Sequence, residues 1–193
     1  MEEKWILTTE YEKYLAEVWQ YRQEFLDSAD TIDGGGPLRR SGSAEEWLEL
    51  VRSYTDPATL PEGRVLATQF LCVRGSDGRL LGMLQLRHYL NDYLEKYAGH
   101  IGYSVRPSER RRGVAKWMLA SVLPRARELG LDRVLITCDD DNEGSRRTIL
   151  ANGGIYENTV FDPEDQKNRE RYWVPVPCAG DGKAVNEGGR HGK

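Results

Sequence analysis

At 193 residues, with a net charge of −4, 39% hydrophobic and 30% charged residues, the chain fits one globular domain with a core of ordinary size. The acidic total argues against a general nucleic-acid binder, whose surface is basic overall, and no apolar run reaches the length of a membrane span. Met1-Glu2-Glu3-Lys4 opens no apolar signal-type stretch, and Cys72, Cys138 and Cys178 lack metal-type spacing, so a cytoplasmic, metal-free protein with reduced thiols is expected.

Residues 5–7 suit a short entry strand. Thr9-Glu10-Tyr11-Glu12 has the form of a capping box, and behind it Tyr11, Leu15, Val18, Trp19, Phe25 and Leu26 recur at helical spacing. Residues 30–38 break the pattern with Gly34-Gly35-Gly36; no Lys-Ser/Thr follows, so this is no P-loop. It reads equally as a connector or as a loop beside an acceptor site. Ser43-Ala44-Glu45-Glu46 starts a second helix through Trp47, Leu48, Val51 and Tyr54.

Residues 64–74 and 79–89 are strand-like runs around the turn Gly75-Ser76-Asp77-Gly78, a hairpin signature. Gly82 inside the second run predicts a bulge or close packing. After a polar loop at 91–98, residues 100–105 make a third antiparallel strand. Residues 114–129 form a helix closed by Gly130, with Pro124 expected to kink it. The apolar run 133–138 reads as a buried strand, parallel to 100–105 through a right-handed crossover. Residues 142–152 make a shorter helix stopped by Gly153-Gly154, and 155–160 and 171–176 a last strand pair around a polar loop at 161–170. Beyond it, residues 177–193 are Gly-rich and aperiodic, which predicts a folded domain over 1–176 and a disordered tail.

Chemistry concentrates in Tyr103-Ser104-Val105-Arg106-Pro107-Ser108-Glu109-Arg110-Arg111-Arg112-Gly113-Val114-Ala115, a strand, an arginine-rich turn and a helix start. Free N–H groups at a helix N-terminus bind anions. Gly113 lets the backbone approach a phosphate, Ala115 keeps the next turn narrow, and the arginines add charge where a diphosphate would lie. A local basic patch on an acidic molecule favours a small anion over a polyanion.

Arg110-x-x-Gly113-x-Ala115 resembles the Gln/Arg-x-x-Gly-x-Gly/Ala acyl-CoA signature of the GNAT acetyltransferase superfamily, and the order of elements from about residue 64 to 176 is similar to that family's. Residues 87–92 and 99–103 resemble a bacterial branch of it. The resemblance implies a single-domain α/β fold with a mixed central sheet of about six or seven strands flanked by helices. It also implies acetyl-CoA as acyl donor and direct transfer to a primary amine of a small molecule or peptide in a ternary complex.

On the same basis, backbone groups of Ser104 and Val105 would pair with the pantetheine arm, and those of Arg111, Arg112, Gly113, Val114, Ala115 and Lys116 would hold the diphosphate. The side chains of Arg110, Arg111 and Arg112 would reach the adenosine phosphate or face water. Asn142-x-x-Ser145 matches the family's Asn-x-x-Ala/Ser cofactor contact, and reads equally as an N-cap. Many members carry, seven residues after that Asn, a Tyr that protonates the leaving thiolate; here the position is Ile149, and Tyr156 is offset.

A primary ammonium titrates near ~10.4, so an acceptor must lose a proton. His100 is the preferred base, with a structural histidine as its alternative; His88, Asp92 and Glu95 are further candidates, and Asp92 and Asp139 could also hold a cationic amine. A non-catalytic acyl-CoA-binding module is the second functional reading. Exposed edge strands would suit a homodimer.

Overall fold

Alternation along the strands assigns the two faces of the sheet. In the computed structural model, which describes residues 4–178, β1 (Trp5–Thr8), β2 (Ala67–Arg74), β3 (Leu80–Arg87) and β4 (Ile101–Val105) form one antiparallel sheet in that order. A second sheet holds β5 (Arg133–Asp139), β6 (Ile155–Asp162) and β7 (Lys167–Pro175), ordered β5-β7-β6. Helices α1 (Leu15–Asp27) and α2 (Ala44–Ser53) precede the β2–β3 hairpin, α3 (Val114–Glu128) connects the sheets, and α4 (Glu143–Leu150) follows β5. On β2, Phe70 and Cys72 enter a core with Met118 and Val122 of α3, whereas Leu71 and Val73 enter another with Val18, Phe25 and Trp47 of α1 and α2. Helices therefore cover both faces of the first sheet.

Gly82 turns out to be both bulge and close contact. Cys72 pairs with Gly82 but Val73 with Leu80, leaving Leu81 as the extra residue. A Cβ at Gly82 would lie 2.8 Å from Met118 Cε, so the missing side chain is what lets α3 approach.

Two helix starts were expected to carry capping boxes, and one does. Ser43 Oγ accepts the Glu46 N–H at 3.1 Å, while the Glu46 carboxylate accepts the Gly42 N–H at 2.6 Å. The Thr9 box does not form. Tyr11–Tyr14 makes a 3₁₀ turn, Thr8 Oγ1 takes the Glu10 N–H, and α1 begins only at Leu15. Tyr11 and Tyr14 are both buried, and Tyr11 Oη donates to Gln69 O at 2.8 Å. Spacing of three brings residues i and i+3 into line in a 3₁₀ turn, which seats both rings on the sheet together.

Pro124 does not interrupt α3, which runs through it to Glu128. The polar segment 161–170 is mostly strand. β6 extends to Asp162 and β7 starts at Lys167, because the whole of β5 is paired, down to the opposite-charge pair Asp139↔Arg169.

β4 and β5 run in the same sense without forming a ladder. His100 N–H donates to Leu135 O at 2.7 Å, and three residues further along each strand the Tyr103 hydroxyl reaches α4 just after β5 ends. Among the described residues one bridge joins them, Gly99↔Ile136, locally antiparallel where Gly99 turns the chain. The expected mixed sheet is thus opened into two antiparallel sheets with a gap between them. No helix among the described residues is long and apolar enough to cross a membrane. The tail expected to be disordered falls outside the described residues, apart from Pro177 and Cys178.

Candidate active site

Three helix N-termini are built differently. α2 is capped by Ser43 and carries Glu45 and Glu46 in its first turn. α4 is capped by Asn142, whose Oδ1 accepts the Ser145 N–H at 3.0 Å, and has Glu143 in its first turn. α3 has neither. Its cap is Gly113 in the left-handed region at φ 87°, with no side-chain cap and no acid in the first turn. The first helical bond runs from Trp117 N–H to Gly113 O at 3.0 Å, so the N–H groups of Val114, Ala115 and Lys116 precede it. A Cβ on Gly113 would meet nothing within 4 Å; open space lies above a backbone that favours glycine.

The arginines before this helix are mostly engaged with carboxylates. Arg110 Nη2 contacts Asp30 at 2.6 Å, and its Nε donates to Val105 O at 3.1 Å. Arg112 donates to Glu109 at 2.6 Å, and the same buried Glu109 also receives Arg79 at 2.9 Å. Arg111 is exposed, at φ 63°. Arg106, 2% exposed, donates to Leu80 O at 2.7 Å and to Glu17 at 3.0 Å, and so acts as a structural strut. The charge of the turn is largely matched by protein carboxylates. What the helix presents outward is backbone.

Register decides which groups of β4 are available. Arg106 N–H donates to Leu81 O at 2.8 Å, and β4 pairs with β3 as Met83↔Ser104 and Gln85↔Gly102. Antiparallel ladders alternate bonded and non-bonded pairs. Ser104 and Gly102 therefore turn their N–H and C=O toward β3, and Tyr103 and Val105 turn theirs to the open gap. The Ser104 hydroxyl is also engaged, accepting from Tyr21 Oη at 3.0 Å and donating to Asp33 O at 2.5 Å. Ser104 was expected on the open edge beside Val105; the ladder puts Tyr103 there in its place.

His100 sits at the closed end of the gap. It is buried, and its Nδ1 accepts the Leu135 N–H at 2.9 Å, which leaves the proton on Nε2 of a neutral ring. Burial, and then the nearby Arg87 charge, hold its pKa down at about 4. Arg87 itself donates to Ala98 O at 3.0 Å and Gly99 O at 2.8 Å. His88 Nε2 lies 2.9 Å from Thr68 Oγ1. These histidines are tied into structure.

The acceptor candidates are divided. Asp92 and Glu95 line an open groove with Lys96 and Arg171. Asp139 instead is paired with Lys167 and Arg169. Asp139 shares its surroundings with a residue that sequence reasoning left as part of a loop, Asp33. That loop is pinned on β4: a Cβ at Gly34, φ 66°, would fall 2.1 Å from Gly102 O, and Gln69 Nε2 donates to Gly34 O at 2.7 Å. Asp33 is solvent-accessible yet closely surrounded by protein. Burial first, then Asp139, raise its carboxyl pKa against the opposing pull of Arg169 and Lys167. Among the described residues it makes no ion pair. Only the triple glycine hinted at this placement; nothing in the sequence singled out its aspartate.

Ile149 is fully buried in the core and offers no proton donor. Tyr156 is exposed on β6, its hydroxyl 2.8 Å from Thr159 Oγ1. Across the gap, Tyr103 Oη lies 2.8 Å from Ser145 Oγ, joining β4 to α4.

The profile of the Acetyltransferase (GNAT) family matches residues 40–153. No curated protein matches the chain. Among solved structures, Mycobacterium smegmatis RimJ in complex with CoA-disulfide is similar at 17% identity and TM-score 0.65, over 91% of this chain and 86% of that one. A ribosomal-protein-serine acetyltransferase structure from Vibrio cholerae is similar at 18% identity and TM-score 0.62, over 89% and 94%. The ribosomal-protein-S5-alanine acetyltransferase of Vibrio fischeri follows at 16% identity and TM-score 0.62, over 91% and 95%. At these identities the likeness is one of fold.

Proposed function

The chain belongs to the Acetyltransferase (GNAT) family, and from that premise we propose that it transfers an acetyl group from acetyl-CoA directly to a primary amine in a ternary complex. The observation that carries this reading is the α3 N-terminus, uncapped and free of acid in its first turn, beside a strand edge with unspent backbone groups. The donor supplies an activated carbonyl and a thiolate leaving group. The N–H groups of Val114, Ala115 and Lys116 hold the diphosphate, favoured by the helix dipole. Tyr103 and Val105 offer the gap-facing amide groups that pair with the donor's amide arm, as an added strand would. Val105 O keeps Arg110 and contributes less.

Asp33 serves the acceptor. It holds the incoming ammonium, which first gives up one proton to water and so exposes the nitrogen lone pair. Once the neutral amine has bonded to the carbonyl carbon, Asp33 receives the second proton, which the now acidic nitrogen releases. His100, with Nδ1 engaged and a depressed pKa, locks the closed end of the gap and does not act as base. The neighbours named for ribosomal-protein acetylation favour a peptide or protein amine as acceptor. The buried Ile149 supports the second reading, a binding module without turnover. Amine-dependent release of free CoA separates the two.

Calorimetric titration with acetyl-CoA, using adenosine diphosphate as control, tests the cofactor reading. Micromolar binding that depends on the pantetheine arm is the expected result. Absent binding, or equal binding of the bare diphosphate, would overturn it.

A further inference from the structure

Three polar side chains from three elements converge where the gap between β4 and β5 meets α4. Tyr103 Oη, from β4, is 2.8 Å from Ser145 Oγ and 3.4 Å from Ser145 O in the first turn of α4. Cys138 near the end of β5, whose Sγ lies 4.0 Å from Glu170 Oε2, acts on Tyr103 electrostatically. Tyr103 turns its backbone groups into the gap, and its phenol leaves the strand on the side of the core that α3 covers and reaches α4. Ser145 is half-buried, between this space and solvent. No other tyrosine hydroxyl among the described residues bonds across from β4 to α4.

Resting on the acetyl-CoA reading above, we propose that Tyr103 is the proton donor to the departing CoA thiolate, with the Ser145 hydroxyl as its link to water. As the amine nitrogen bonds to the carbonyl carbon and the C–S bond breaks, the sulphur leaves with the bonding pair. The Tyr103 Oη proton passes to that sulphur, and the phenolate regains a proton from water through Ser145; the amine's own proton leaves by way of Asp33. A free phenol near ~10 and a thiol near ~8.5 are mismatched in water. Burial disfavours both anions: it raises the Tyr103 phenol as well as the Cys138 thiol, which is pushed up to about 12, so a thiolate released in such surroundings is a stronger base than in water. The charged and titratable groups facing Tyr103 are Cys138 of β5 and Asp33 of the pinned loop, and its hydroxyl is hydrogen-bonded to Ser145 of α4.

The test follows the thiol of bound CoA by thiolate absorbance against pH, in wild type, Tyr103→Phe and Ser145→Ala, with CoA affinity measured in each. A donor aimed at sulphur stabilises the thiolate, so Tyr103→Phe should raise the apparent thiol pKa by about one unit while affinity stays within about twofold. Ser145→Ala keeps the phenol and should leave the thiol pKa low. An unchanged pKa in Tyr103→Phe overturns the proposal, as does an equal rise in Ser145→Ala. Loss of CoA binding in Tyr103→Phe alone would make the residue a packing group and overturn it too. If wild type itself binds no CoA, the cofactor reading fails first and takes this inference with it.

Discussion

The N-termini of α3 and α4 flank the same gap and are finished in opposite ways. α4 satisfies its own first turn through Asn142 and adds Glu143; α3 leaves its first turn open under a left-handed glycine. A closed terminus contributes to stability, typically about 1 kcal/mol for a cap. An open one forgoes that and keeps donors for an anion. A missing cap alone is not distinctive, since α1 also lacks one behind its 3₁₀ turn but carries Glu17 in its first turn; α3 combines the missing cap with the absence of any acid, which is the arrangement an anion favours.

The most drastic way to break this contrast is Gly113→Glu, which forces a side chain onto φ 87° and puts negative charge into the open turn. Acetyl-CoA affinity should fall at least about a hundredfold in calorimetry, roughly 2.7 kcal/mol at the factor-of-ten scale of ~1.4 kcal/mol. Retained affinity would mean that α3 is not the anion site. Asp33→Asn probes the other side of the gap. It should lower kcat about a hundredfold with acetyl-CoA affinity unchanged, and remove an acid limb lying above the ordinary aspartate range from the pH profile of kcat. A variant with normal turnover would dismiss Asp33 as proton acceptor.

The closed end of the gap makes a stability prediction. With His100 near 4 when folded and near ~6.5 when unfolded, the unfolded chain takes up the proton first as pH falls. The neutral ring's contribution is complete above pH ~6.5, is lost progressively below it, and the loss ends near the folded value. At pH 5 it amounts to about 2 kcal/mol, seen as a lower denaturation midpoint in urea; His100→Asn should flatten that dependence. The smallest effect sharpens the comparison from its stable side. Ser43→Ala should cost about 1 kcal/mol in the same unfolding experiment and leave acetyl-CoA affinity untouched. A binding defect there would show that caps and ligand are coupled through the fold.

Local rules made much of this legible in the sequence. Period-two runs located the hairpin of β2 and β3, Gly82 announced its bulge, and Ser43-x-x-Glu46 announced the start of α2. Arg110-x-x-Gly113 pointed to the uncapped helix because glycine and strand–helix order are near neighbours in sequence. Missed features depend on contacts distant along the chain. Arg110 meets Asp30 across a loop, Ser104 spends its backbone on β3 and its hydroxyl on Asp33 O, and His100 is filled by the Leu135 N–H. The failed Thr9 box has the same origin, since the burial of Tyr11 and Tyr14 outweighed a local capping signal. Asp33 was invisible as an individual because its position is set by the loop's contact with β4.

That contact joins two glycines, Gly34 above Gly102, with peptide resting on peptide and no side chain between them. The seat itself is backbone, and the side chains of Asp30, paired with Arg110, and Ile32, packed against the core, add to it from one side of the loop. Fixing a backbone residue costs roughly 1–2 kcal/mol of conformational entropy. Here that loss is absorbed when the chain folds, and an arriving acceptor meets a wall already set in place, so little further ordering should oppose its binding.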